Sequence, residues 1–153
     1  MPRHPARAHD LRDVRAGIRA DPYFTSALPE LMRTTLALKD RGLGARLIDG
    51  VAPRTPLAEH TLTACRAQLA EATDEHADAA SLYAQAAVRW SEFGNVPERA
   101  YALLGQGRCI AALGKPEAEA PLREAQGLFA SMGYMPALAV TEALLAQGEA
   151  AAV

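Results

Sequence analysis

The tetrapeptide Gly-x-x-Pro occurs three times, at Gly50–Pro53, Gly94–Pro97 and Gly133–Pro136, with starts 44 and 39 residues apart. Each copy falls between two segments whose apolar residues recur at helical spacing. Glycine adopts the left-handed conformation that closes a helix, and proline suits the first turn of the next. A stop and a start repeated at this interval predict an all-α fold, a right-handed stack of antiparallel helical hairpins with about seven helices. The chain of 153 residues suffices for one domain with a continuous core. Half of it is hydrophobic but only 5% is aromatic, because alanine supplies much of the apolar content. Alanine favours helix and lets helices approach closely.

The spacing divides the chain into a leader at 1–22, a helical-repeat domain at 23–147 and a tail at 148–153. The leader holds a possible helix over Leu11–Ala20. Within the domain, hairpins are expected at about 27–51, 56–93 and 97–132, with a capping helix at 136–147. Ser26 is the expected N-cap of the first helix, with Pro29 in its first turn, and Gly42 is the expected break before a short second helix. Thr55 and Pro56 start the next hairpin, and Thr73 and Asp74 offer capping oxygens at its turn. Its second helix carries Ala79, Leu82, Tyr83, Ala86, Ala87, Trp90 and Phe93 on one stripe. Asn95 and Glu98 have the spacing of a capping box ahead of the third. Lys115-Pro116-Glu117 restarts the chain within it.

Sliding the chain by 39 positions tests the repeat. Ala79 falls on Ala118, Tyr83 on Leu122, Ala86 on Ala125, Trp90 on Phe129, Phe93 on Met132, Gly94 on Gly133 and Pro97 on Pro136. Small residues meet small ones and large apolar residues meet large ones. Gly105 and Gly107 each cost a helix about 1 kcal/mol relative to alanine. Gly107 is expected to face Ala118 and Leu122, and Gly105 to be a plain propensity penalty. No hairpin can bury its stripe alone, so stability must come from stacking.

These residues resemble the tetratricopeptide-repeat family. The small–large–small sets Ala79-Tyr83-Ala86 and Ala118-Leu122-Ala125 match its second helix, Gly107 its first helix and Gly114 its interhelix turn. The departures are the repeat length of 39 to 44 instead of 34, and Gln68 where a small residue belongs. The resemblance spans about Leu28 to Leu145. From Pro53 to Gln147, the stretches TPLAEH, ERAYALLGQGRCIAALG, EAPLREAQGLFASMGY and PALAVTEALLAQ also look like the C-terminal repeat tail of bacterial adenylate/guanylate cyclase-type multidomain ATPases and of related transcriptional regulators. That likeness implies a regulatory or partner-binding arm. The chain has no Gly-x-x-x-x-Gly-Lys-Ser/Thr loop, so ATPase chemistry does not carry over.

No catalytic, cofactor or metal site is read from the sequence. His4 and His9 lie in the leader. His60 and His76 follow Glu59 and Glu75 directly, and adjacent helical residues diverge too far to chelate together. They read as surface groups. Cys65 and Cys109 lack metal or redox spacing and read as reduced core thiols, in keeping with a cytoplasmic protein. No nucleophile elbow is present. The net charge of −2 argues against a nucleic-acid surface, although Arg3, Arg7, Arg12, Arg15 and Arg19 make the first twenty residues basic. No run is long and apolar enough for a membrane span.

The expected function is therefore non-enzymatic, a scaffold binding a peptide, helix or neighbouring protein domain. The alternatives are a regulatory tail on a nucleotide-handling or DNA-binding protein and, more remotely, a small helical enzyme. The resemblance implies that first helices line the binding groove. In that register the groove residues are Tyr101, Leu104, Arg108, Ala111 and Ala112, joined by Arg66, Leu69 and Thr73 from the neighbouring helix. Arg66 and Arg108 together would clamp a partner's carboxylate. The end helices offer surfaces for homo-oligomerisation.

Overall fold

The computed structural model of the chain describes Val14 and residues 16–153. Among these it is all-helical, with no strand. Residues 16–20 are helical, and seven longer helices follow. They are α1 (Pro22–Ala37), α2 (Arg41–Ile48), α3 (Pro56–Ala72), α4 (His76–Phe93), α5 (Val96–Ala112), α6 (Glu119–Met132) and α7 (Met135–Ala151). A 3-10 turn at Pro116–Ala118 leads into α6. Arg3, Arg7, Arg12 and Arg15, with His4, His9 and the start of the expected leader helix, lie outside the described residues.

Several boundaries differ from expectation for local hydrogen-bonding reasons. The first helix begins at Pro22 because Asp21 accepts from the Tyr23 amide at 2.7 Å. Ser26 lies inside that helix and donates to the Tyr23 carbonyl at 2.9 Å, and Pro29 is also interior. The break before α2 is at Lys39 and Asp40, whose carboxylate accepts from Leu43, so Gly42 is helical. Thr73 and Asp74 do not cap α4; Asp74 instead closes α3 with φ 63°. Half of the capping box forms. Asn95 accepts from the Glu98 amide at 3.1 Å, but the Glu98 carboxylate turns away to Arg33. The last helix runs on to Ala151, through most of the expected tail.

The 39-residue match holds atom by atom at the helix ends. Gly94 and Gly133 are left-handed, and the amides after them, of Asn95 and Tyr134, donate back to Trp90 and Phe129 at 3.0 and 2.9 Å. Trp90 and Phe129 are the buried anchors of their helices. The same six-to-one bond closes α1, α3 and α5, through the amides of Asp40, Glu75 and Lys115. Only the last of these three turns has a glycine, Gly114, in the left-handed position. Lys39 and Asp74 hold it in the others. The punctuation was visible in the sequence at Gly94, Gly114 and Gly133 and disguised at Lys39 and Asp74.

Each helix packs on its sequence neighbour, and alternate helices touch as well, α1 with α3, α3 with α5 and α5 with α7. Helix α5 is the centre of this arrangement, between α4 and α6. The larger core cluster runs from α3 to α7 through Tyr83, Trp90, Leu104, Leu122, Phe129 and Leu145. A smaller one gathers Leu28, Met32, Leu62 and Cys65 from α1 and α3. Cys65 and Cys109 are buried free thiols, both pushed up to about 12, chiefly by desolvation.

Gly107 faces Leu122 and Ala118, as expected, so that a Cβ would run into the leucine. Gly105 is not a bare propensity penalty. A Cβ there would run into the Tyr83 ring. Two residues subtend about 200° on a helix, so the glycines open opposite flanks of α5, one to α4 and one to α6. His60 is likewise not a simple surface group. Half-buried, it meets Trp90 and Phe93 edge-on at 5.6 and 5.3 Å, and desolvation lowers its pKa, with Arg89 adding to the effect.

Gly105→Ala and Gly107→Ala should each lower stability by about 1–3 kcal/mol through overpacking, against alanine's propensity gain. Lys39→Gly should raise it by up to about 1 kcal/mol by relieving the left-handed backbone. Urea unfolding midpoints read all three, and a stabilised Gly105→Ala would refute the close packing of Tyr83.

Candidate functional site

The open groove is lined mainly by residues from α1, α3, α5 and α7, the helices that touch alternately. Its volume is about 800 Å³. Leu36 of α1, Gln68 and Glu71 of α3, Tyr101, Leu104 and Arg108 of α5 and Val140 of α7 are among its walls. Arg41 of α2 and Tyr83 of α4 also reach it, while no residue of α6 does.

Two arginine–glutamate pairs cross its floor. Arg33 of α1 donates through both terminal nitrogens to Glu98 of α5, at 2.8 and 2.7 Å. Its guanidinium also lies 3.9 Å from the centroid of the Tyr101 ring. Arg108 of α5 donates twice to Glu71 of α3, one bond from Nη2 measuring 2.8 Å and the other from Nε. The Tyr83 hydroxyl donates to the same carboxylate at 2.6 Å. Forked geometry makes both pairs strong and directional. Gln68 adds a third link from α3, donating to the Pro29 carbonyl of α1 at 3.2 Å. The large polar side chain at a position expected to be small therefore has a role: it ties α3 to α1 at Pro29, inside the helix.

The titration behaviour follows from these contacts. Burial works to raise the Glu71 pKa, but the bonds and charge of Arg108, with the Tyr83 hydroxyl, outweigh it and leave it lowered. Burial works to lower the Arg108 and Arg33 pKa values, and the facing glutamates more than offset it. Tyr83 is raised well above its ordinary value by burial and by the adjacent Glu71 charge. The guanidinium expected to receive a partner's carboxylate already holds one from its own chain.

The eight sequence-derived groove residues do not gather on one surface. Tyr101, Leu104 and Arg108 line the groove. Arg66, Leu69 and Thr73 line a second cleft of about 700 Å³ among α2, α3 and α4. Ala111 and Ala112 are exposed near the end of α5 and line neither. Arg66 and Arg108 thus line different clefts. The second cleft opens because α2 has only 8 residues where α4 has 18 and α6 has 14. Arg33, Glu71, Glu98 and Val140 were not among the expected residues. Arg33 and Glu98 are 65 positions apart, and no local spacing announces such a pair.

Among the described residues, no group of three or more His, Cys, Asp or Glu side chains is placed to hold a metal ion. No helix among them is long and apolar enough to cross a membrane. Comparison with family models, with curated proteins and with solved structures finds no match to this chain.

Arg108→Leu should destabilise the fold by about 1–3 kcal/mol, because it strands the largely buried Glu71 carboxylate. Glu71→Gln with Arg108→Leu should recover part of that loss in a double-mutant cycle. The folded-state Glu71 pKa is depressed, so its stabilisation is present above the unfolded value near 4.5 and is lost as pH falls through the folded one. The wild type should therefore lose more stability between pH 5 and pH 3 than Glu71→Gln does, and equal acid losses would contradict a depressed Glu71.

Proposed function

We propose that the chain is a tetratricopeptide-like hairpin stack that acts as a non-enzymatic scaffold, taking a peptide or helix of a partner protein along its groove. The observation that carries this reading is the groove lined mainly by four alternating helices, α1, α3, α5 and α7. Three things support the architectural half: the alternating contacts, the matching helix caps at Gly94 and Gly133, and the equivalent burial of Trp90 and Phe129. The groove surface suits peptide capture better than chemistry. Arg33, Glu98, Arg108 and Glu71 are arranged in satisfied pairs, and between them lie Leu36, Tyr101, Leu104 and several alanines, with Lys39, Arg41 and Asp74 at one end. An amphipathic helix or extended segment would bury apolar side chains there and leave the pairs intact.

Arg108 is a poor probe of this idea, because changing it damages the fold. Val140 is the better one, being half-exposed on the α7 wall of the groove. Val140→Arg should keep the wild-type circular dichroism and melting temperature while lowering affinity for groove partners at least about tenfold. The test is quantitative capture of partners from an extract of the source organism by wild type and variant side by side. Capture unchanged by Val140→Arg would overturn the groove reading.

A further inference from the structure

We propose that the partner segment taken by the groove is acidic at one end, and that Lys39 and Arg41, at the turn between α1 and α2, receive its aspartate or glutamate side chains. This rests on the groove reading and specifies which kind of segment fits.

Four of the charges in the groove are already committed, Arg33 to Glu98 and Arg108 to Glu71. Lys39 and Arg41 also line it and are exposed. Among the described residues, neither belongs to an ion pair. Asp40, between them in sequence, turns its carboxylate to the Leu43 amide at 2.8 Å and does not line the groove. Asp74 does line it, but its side chain is 90% exposed and lies 3.8 Å from the His76 imidazole. At the α7 wall, Pro136, Ala137 and Val140 bring no charge. The groove is therefore positive at its α2 end and apolar at its α7 wall. A matching segment places apolar side chains against Tyr101, Leu104 and Val140 and carboxylates toward α2.

Local structure does not favour a cation at either position. Lys39 follows α1 with φ 62°, a conformation that glycine adopts at lower cost. Arg41 is the first residue of α2, a helix with no acidic residue in its first turn, and a cation is disfavoured at a helix N-terminus. A lysine just past α1 gains something from the negative end of that helix, but an arginine at the start of α2 gains nothing. Both residues thus cost the fold stability, and their common consequence is a positive edge on the groove. Stability given up in this way is the mark of a residue kept for binding. The whole chain carries a net charge of −2, so its overall field does not draw in acidic partners, and the attraction is local to this edge.

Fluorescence anisotropy with the full chain and two synthetic probes tests this. One probe is a helix-forming peptide of leucine, alanine and glutamine with glutamates at one end, and its twin carries glutamines in their place. The acidic probe should bind about fivefold more tightly than the twin in low salt, and about 0.5 M salt should remove the difference. Lys39→Gly combined with Arg41→Gln should also remove it, while the double variant melts no lower than wild type. Val140→Gln, which adds no charge, should weaken both probes alike. Equal binding of the two probes, each weakened by Val140→Gln, would overturn this inference and leave the groove reading standing. Binding of neither probe would overturn both. A preference that survives in the double variant would mean that other residues receive the acid. A single-stranded oligonucleotide bound more tightly than the acidic peptide would mean that the two cations read phosphate, and either result overturns the assignment.

Discussion

The close approach of three helices around α5 is the constraint on which the rest of the molecule depends. Gly105 and Gly107 remove two β-carbons from opposite flanks of that helix, and Tyr83 and Leu122 occupy the space. Alanine at either position would hold a neighbour away by more than a packed interior tolerates. Because α5 touches α4 and α6 this closely, α3, α5 and α7 can also meet on the other side. The groove is a consequence of that geometry. A looser α5 would leave neither a continuous core nor a wall for the groove.

The same contacts position the charges. Tyr83 packs its ring against Gly105, and its hydroxyl then reaches Glu71, which is also held by Arg108. One side chain thereby links the apolar core to the polar floor of the groove. Arg33 does comparable work at the other end, joining α1 to α5 through Glu98 while stacking on Tyr101. Buried or half-buried ion pairs contribute less to stability than their geometry suggests, because desolvation offsets the attraction. Their value here is register. They specify how α1, α3 and α5 sit relative to one another, and so which residues face the groove.

The fold was largely legible from residue spacing, and the site was not. Amphipathic stripes and glycine stops are local signals, and Trp90, Phe129, Gly94 and Gly133 occupy the equivalent places that the repeat demands. Other turns were harder to see because Lys39 and Asp74 adopt a backbone conformation usually left to glycine. The N-cap at Asp21 was missed because Ser26 and Pro29 imitate a helix start five to eight residues further on. Of the groove residues, Tyr101, Leu104 and Arg108 followed from the register of α5 once Gly107 was oriented. Arg66, Leu69 and Thr73 went to a different cleft because the shortness of α2 opens a gap beside α3 that no spacing rule measures.

The sequence by itself determined an all-helical chain, the principal helix boundaries and the equivalence of α4 with α6, since each rests on interactions among residues fewer than about five positions apart. Only the tertiary structure decided that Gly105 is a contact, that His60 sits among aromatic rings and that the groove arginines are already paired. Those outcomes depend on which surfaces meet across tens of residues of chain, as Arg33 meets Glu98 and Arg108 meets Glu71. A linear pattern records the side chains available for such meetings, and packing chooses among them because only one arrangement fills the core without overlap.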